Sequence, residues 1–338
     1  MSTCQNLGME FEIFCRKNNV LKALNIHEYD NGIFGIIAPS RLATLPTNWK
    51  SIIEEGHFDL ALGFDEAGLV MAAQTSLPLV AVFSRLPQSW RAVRSFIKAG
   101  PAADEIKSAL NKACAFLTRC TEVTEILVSH GVTRDKIMVL PMPPEFNEYI
   151  HQDVRWGIGT FASDPTSLNY AVICASLIND LGFNTPLRIF CEKDHFDFSN
   201  CLKDSRTSVE IITIENYKDF FQKVPQCQLF LSPDVTRIDG ERDFSGIYSI
   251  LSSLAQVPQV ASCHGIFPDI IEEGVTGFLV PERNAEIMQD RCLEILEDTN
   301  KGSEMGQSAR AKIEFQFEYK NLAAKLEGFL NHTLRRRN

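Results

Sequence analysis

The stretch "ERDFSGIY" (241–248) sets carboxylates at Glu241 and Asp243 just ahead of Phe244, Ser245 and Gly246, where a helical pattern begins. Glycine has no side chain, so another group can come close to the backbone at Gly246. A helix N-terminus offers unpaired N–H groups and a partial positive charge, which suits a diphosphate. The expected cradle is the backbone around Ser245, Gly246 and Ile247. A second loop, "CHGIFPDIIEEG" (263–274), sets His264 and Gly265 ahead of another helical pattern. Each feature also has a plainer meaning. The glycine shapes an ordinary strand–loop–helix turn, and a loop histidine caps a backbone or stands in solvent.

Those loops depend on the strands before them. "QLFLSPD" (228–234) and "VPQVAS" (257–262) read as short buried strands, and "EEGVTGFLVP" (272–281) as a turn followed by an edge strand. In an open parallel sheet, ligands bind beyond the carboxyl ends of the strands, so two successive loops are expected to face one crevice.

The same alternation runs through the chain. "FEIFC" (11–15), "GIFGIIAP" (32–39), "FDLALGF" (58–64), "LPLVAVFS" (77–84) and "KIMVLP" (136–141) read as strands. Their near-continuous apolarity suits parallel strands covered on both faces. Helical patterns separate them at 48–56 and 66–76, and 103–131 holds two helices around a short strand at Phe116–Thr118. "PMPPEFNEYIHQDVRW" (141–156) breaks the series, because its prolines fit neither a helix interior nor a central strand. This is the expected linker. A second series follows, with helices at 166–182 and 216–224, strands at Pro186–Cys191 and Val209–Ile214, and a helical end at 284–298 and 303–333. The expected class is α/β, two doubly wound Rossmann-like domains.

Composition removes several function classes. At 338 residues the chain is long for a single core. Apolar residues make 45% and charged residues 22%, the balance of a globular protein. A net charge of −10 argues against nucleic acid as a partner. The one basic cluster is Arg335, Arg336 and Arg337, a solvated tail or a weak contact with an anionic membrane surface, not an anchor. The ten cysteines are scattered with no C-x-x-C pair, so no metal site is expected. With no signal-peptide pattern and no long apolar run, the expected location is a reducing cytosol. No G-x-G-x-x-G follows an expected strand, which disfavours a dinucleotide oxidoreductase.

The order within residues 243–282 resembles the donor-binding region of group-1 (family 4) retaining glycosyltransferases of the GT-B fold. That pattern runs E-G-F-G-L-x-x-x-E-A-M-A-x-G-x-P-V-V-A-S-x-x-G-G-x-P-E-x-I-x-x-G-x-x-G-x-L-V-x-P. "SSLAQVPQVAS" (252–262), "GIFPDIIEEGVTGFLVP" (265–281) and "MGQSARAKIEFQFEYKNLAAKL" (305–326) follow it, and "TRCTEVTEILVSHGVTRDKIMVLP" (118–141) is similar to the family's last segment before the linker. The resemblance implies an N-terminal acceptor-side domain over 1–147 and a nucleotide-sugar-side domain over 148–316, facing a cleft. It implies a final helix, 317–338, crossing back to the first domain. It implies transfer of a sugar from a nucleotide-sugar to an acceptor with retention, without metal or other cofactor.

The departures point the other way. Of the family's two glutamates in E-x7-E, the resemblance sets the first, which contacts the donor sugar, on Asp243. It sets the second, which holds the ribose hydroxyls, on Leu251. Leucine cannot accept a hydrogen bond. Glu241 is a nearby carboxylate for that role. The family's basic G-R-x-x-x-x-K-G loop corresponds to "GTFASDPTSLNY" (159–170), with neither base, and a histidine position is Ser84. The N-G after the last N-domain strand is Met142–Pro143, and the resemblance implies that the family's first strand is missing or rebuilt. Two readings therefore stand: an active, divergent glycosyltransferase, or a non-catalytic relative serving as a binding module or as a partner subunit. Leu251 is expected to line an open donor pocket in the first reading and to be core in the second; the shape of the surrounding loops favours the open pocket.

Overall fold

The computed structural model describes residues 11–14, 33–37, 60–83, 101–141, 155–192, 199–203, 205–236 and 246–335. Outside these lie the helix expected at 48–56, Ser84, the linker over 142–153, Glu241, Asp243, Phe244, Ser245, Arg336 and Arg337.

The chain divides into two compact units. One comprises Met1–Met142, Asp239–Glu241 and Tyr319–Asn338; the other comprises Pro143–Ile238 and Arg242–Glu318. In the first unit the described strands are β1 (Phe11–Phe14), β2 (Ile33–Ile37), β3 (Ala61–Phe64), β4 (Leu79–Phe83), β5 (Ala113–Thr118) and β6 (Ile137–Val139). They form one parallel sheet in sequence order. Helices α1 (Asp65–Ala72), α2 (Pro101–Lys112) and α3 (Thr121–Ser129) connect them. Strand β5 begins directly after α2, three residues earlier than its apolar run suggested. "KACAF" suits helix and strand alike, and pairing with β4 decides it.

The second unit holds β7 (Ile158–Phe161), α4 (Pro165–Asp180), β8 (Leu187–Glu192), α5 (Ser199–Leu202), β9 (Val209–Ile214), α6 (Tyr217–Lys223) and β10 (Leu229–Ser232). It continues with α7 (Ile247–Leu254), β11 (Gln259–Ser262), α8 (Phe267–Ile270), β12 (Gly277–Val280), α9 (Ala285–Glu297) and α10 (Thr299–Gln316). Its parallel sheet runs β12-β11-β10-β7-β8-β9, so β12 is an edge. Strands β7, β8, β10 and β11 are buried along nearly their whole length. A core including Ile158, Leu187, Ile189, Leu231, Val260 and Val280 packs with residues of α4 and α9.

The helical pattern at 303–333 is two helices. α10 ends at Gln316, and α11 (Tyr319–Arg335) follows. Buried positions Met305, Ala309, Ile313 and Phe317 recur every four residues, and the next stripe begins five residues on, at Leu322, with Leu326 and Leu330. That change of phase marks a helix changing its packing partner. Leu326 and Leu330 close on Leu60, Val80, Ala115 and Leu117, so α11 belongs to the core of the first unit. Among the described residues no helix is long and apolar enough to cross a membrane.

Candidate functional site

The strand order of the second unit reverses between β7 and β10. From β7 the chain moves outward through β8 and β9, and from β10 it moves the other way to β11 and β12. Connections diverge at such a switch point, and the crevice beyond the strand ends is where α/β sheets bind ligands.

The loop leaving β10 is held there from several sides. The Asp234 carbonyl accepts a hydrogen bond from His264 Nε2 at 2.8 Å, and Val235 N–H donates to Ser167 Oγ at 3.3 Å. Thr236 donates its N–H to Glu282 Oε2 at 2.7 Å and its hydroxyl to Glu282 Oε1 at 3.1 Å. Arg283 Nη2 donates to the Thr236 carbonyl at 3.1 Å. Ser163, just beyond β7, donates to Asp234 Oδ1 at 3.2 Å. The crevice wall is thus stitched together by side chains from the ends of β7, β11 and β12.

His264 is 6% exposed, a buried residue and not a solvated one. Its bond to a carbonyl, which only accepts, sets the proton on Nε2. Nδ1, an acceptor in the neutral ring, is buried without a hydrogen-bond partner among the described residues. Nε2 also lies 3.9 Å from Glu282 Oε2. Gly265 shares the loop, with φ +62°. The two loops expected to face one crevice do meet, through His264 and Asp234.

Gly246 sits at the head of α7 in the left-handed region, φ +52° and ψ +25°. A Cβ there would fall 2.4 Å from Ile266 Cγ2. The expectation that the missing side chain leaves room for a ligand is therefore corrected on that side: Ile266 fills it. Of the expected cradle, the described residues include Gly246 and the first turn of α7, with Ile247 half-buried. In the family pattern the residue after the loop glycine is a second glycine, and here it is Ile266.

Leu251 is fully buried, so the leaning toward an open pocket at this position is also corrected. Helix α7 is buried from Ser249 through Leu254. Its polar groups face inward bonds: Ser249 pairs with Ser232 at 2.7 Å, and Gln259 Nε2 donates to the Ser249 carbonyl at 2.7 Å. The half-exposed first turn presents Tyr248 instead. Its ring stacks on Phe161 with centroids 3.6 Å apart, and its hydroxyl donates to Glu192 Oε1 at 2.7 Å. Phe161 belongs to the stretch compared with the family's basic loop, so an aromatic pair occupies a strand end where that loop would bring cations.

Charge follows suit. Among the described strand-end connections of this unit the charged residues are Asp164, Glu192, Glu215, Asp234 and Glu282 against Arg283. Asp164 is the N-cap of α4, accepting from Thr166 and Ser167 N–H. Sequence reasoning missed Glu282, Thr236, Asp234 and Tyr248. A carboxylate directly after the last strand of the stretch was the sole trace of Glu282.

Residues 252–312 match the model of the glycosyl transferases group 1 family. The amylovoran biosynthesis glycosyltransferase AmsK of Erwinia amylovora is 24% identical over 218 residues, 60% of this chain and 53% of AmsK, so the chain spans about half of that relative's length. The GDP-mannose-dependent alpha-(1-6)-phosphatidylinositol monomannoside mannosyltransferase of Mycobacterium tuberculosis is 33% identical over 85 residues, 25% of this chain and 22% of that protein. Among solved structures, Anabaena HepE in complex with UDP and glucose superposes with a TM-score of 0.68 at 14% identity, covering 96% of this chain and 100% of HepE. Residues 252–312 are thus similar to the group-1 glycosyltransferases, and the chain shares the GT-B fold of HepE.

Proposed function

We propose that the chain is a glycosyltransferase that takes a sugar from a nucleotide-sugar and passes it to an acceptor hydroxyl with retention, as its family resemblance implies. The observation that carries this reading is the matched stretch, residues 252–312, whose strands β11 and β12 lie beside β10 and whose His264 bonds the loop leaving β10 at the switch point. HepE is described in complex with UDP and with UDP-glucose, and the mycobacterial relative is GDP-mannose-dependent, which supports a nucleoside diphosphate as the leaving group. In this reading the N–H groups of the first turn of α7 face the diphosphate and His264 Nδ1 accepts from a donor hydroxyl. Asp243 and Glu241 precede that turn in sequence as the carboxylates toward the sugar and ribose, and Phe244, Ser245 and Gly265 complete the backbone surround. The domains proposed for these roles remain 1–147, 148–316 and 317–338.

A second reading is a non-catalytic relative, binding a sugar or nucleotide or serving as a partner subunit. The burial of Leu251 favours it, because the ribose would lose its carboxylate partner there. Titration calorimetry of the full chain with UDP, GDP, ADP and their sugars separates the two, followed by a transfer assay with the best binder. The transfer reading expects binding and release of the free nucleotide. Absence of binding across the panel overturns it and leaves the partner-subunit form.

A further inference from the structure

We propose that Glu282 is the positioning residue of the nucleotide-sugar site: from the exit of β12 it fixes the course of the loop leaving β10, and through that loop the ligand-facing crevice. The proposal rests on the transfer reading above for the identity of the ligand, while its structural half stands on the bonds alone.

Three observations carry it. Glu282 accepts both polar hydrogens of one residue, Thr236 N–H at 2.7 Å and Thr236 Oγ1–H at 3.1 Å. This two-point hold fixes direction as well as distance, and bonds to a carboxylate are the stronger kind. Next, Arg283 takes the remaining backbone group of the same residue, its carbonyl, at 3.1 Å. Arg283 adopts φ +64°, a left-handed conformation that a non-glycine residue seldom takes. Finally, the same carboxylate is 3.9 Å from His264 Nε2, whose hydrogen bond holds Asp234 two residues earlier. So the strand that lies two places from β10 in the sheet reaches past β11 to hold the loop at Asp234 and Thr236 together with His264. In an α/β crevice the loop after a strand at the switch point sets what a ligand meets. A loop pinned before the ligand arrives costs less ordering on binding.

The test uses the full chain. Amide exchange followed by NMR is measured for Glu282→Gln, Thr236→Val and Thr236→Ser beside the parent, and UDP and GDP affinities are measured by calorimetry. Gln at 282 keeps one acceptor oxygen and loses the other. Val at 236 removes only the hydroxyl bond, and Ser restores it. The Thr236 amide should exchange about tenfold faster or more in Glu282→Gln, with melting temperature little changed. Affinity for the better nucleotide should fall about tenfold in Glu282→Gln and in Thr236→Val, and Thr236→Ser should recover it. The double variant Glu282→Gln/Thr236→Val should be no worse than the weaker single one, since both cut one linkage. Unchanged protection of the Thr236 amide overturns the proposal, whatever the ligand. Faster exchange with unchanged affinity overturns its link to the site. If the parent binds no nucleotide, the transfer reading fails separately, and the link to a nucleotide site falls with it, while exchange still decides whether Glu282 holds the loop.

Discussion

At the level of single residues, Leu251 and Gly246 are set by packing where a ligand was expected. Leu251 has no exposed surface, so Leu251→Glu places an unpaired carboxylate in the core of α7. The expected cost is about 3–5 kcal/mol, or a carboxyl held neutral at pH 7. Urea unfolding checks this; a variant as stable as the parent would show that Leu251 reaches water. Gly246 carries a double demand, φ +52° and a Cβ direction ending 2.4 Å from Ile266. Gly246→Ala should lose about 2–4 kcal/mol, from the left-handed backbone and the overlap together. Ile266→Ala in the same chain should return the overlap part and not the backbone part. Full recovery in the double variant would mean the conformation at Gly246 carries no strain of its own.

Elements meet through close approaches that a residue-by-residue view hides. Gly306 in α10 lies against the turn after α7, where an added Cβ would come within 2.1 Å of the Gln256 carbonyl oxygen. Gln256 itself stands at φ +57°, in the position where the family pattern has glycine. The same carbonyl accepts a hydrogen bond from Arg155 at 2.6 Å, so the turn is fixed from two sides. Gly306→Ala should therefore separate α10 from α7 and destabilise by about 1–3 kcal/mol. Thermal melts read this directly, and an unchanged melt would show that α10 can slide. α11 offers the complementary case. Leu326 is 2% exposed in the core of the first unit, and Leu326→Ala should cost about 2–5 kcal/mol. Exchange protection should fall in β4 and β5, the strands that supply Val80, Ala115 and Leu117, and much less in the second unit.

At the scale of the whole molecule, packing leaves the thiols in very different surroundings. None of the eight described cysteines forms a disulfide. Burial pushes the Cys227 thiol up to about 12, outweighing the nearby Arg188 guanidinium. Burial, and after it the Cys174 thiol 4.0 Å away, push Cys292 up as well. Thiolate is the reactive form, so Cys227 and Cys292 should stay unmodified by iodoacetamide at pH 8 in the native protein, as should the buried Cys174. Cys263, exposed beside His264, should react. Mass spectrometry of peptides before and after unfolding checks the pattern. Native labelling at Cys227 would contradict the packing of the second unit. Protection of Cys263 by UDP would instead tie its loop to the ligand.

The sequence by itself determined the class of fold and a resemblance to one family. Short apolar runs alternating with helical stretches are local periodicities, and β8, β9, β11 and β12 follow them within a residue or two. The stretch after 240 carried the family resemblance because strand, loop and helix follow one another along the chain. Tertiary structure decided what those signals could not contain. Whether Leu251 faces a ligand or the core depends on what α7 packs against, and the helical pattern alone allowed both. Whether Gly246 is open depends on Ile266, twenty residues away in sequence. Glu282 reaches Thr236 only because β12, β11 and β10 lie side by side. Periodicity is set by bonds along the chain, whereas the meeting of strand ends is set by sheet order, and sheet order is a long-range choice made by the whole core.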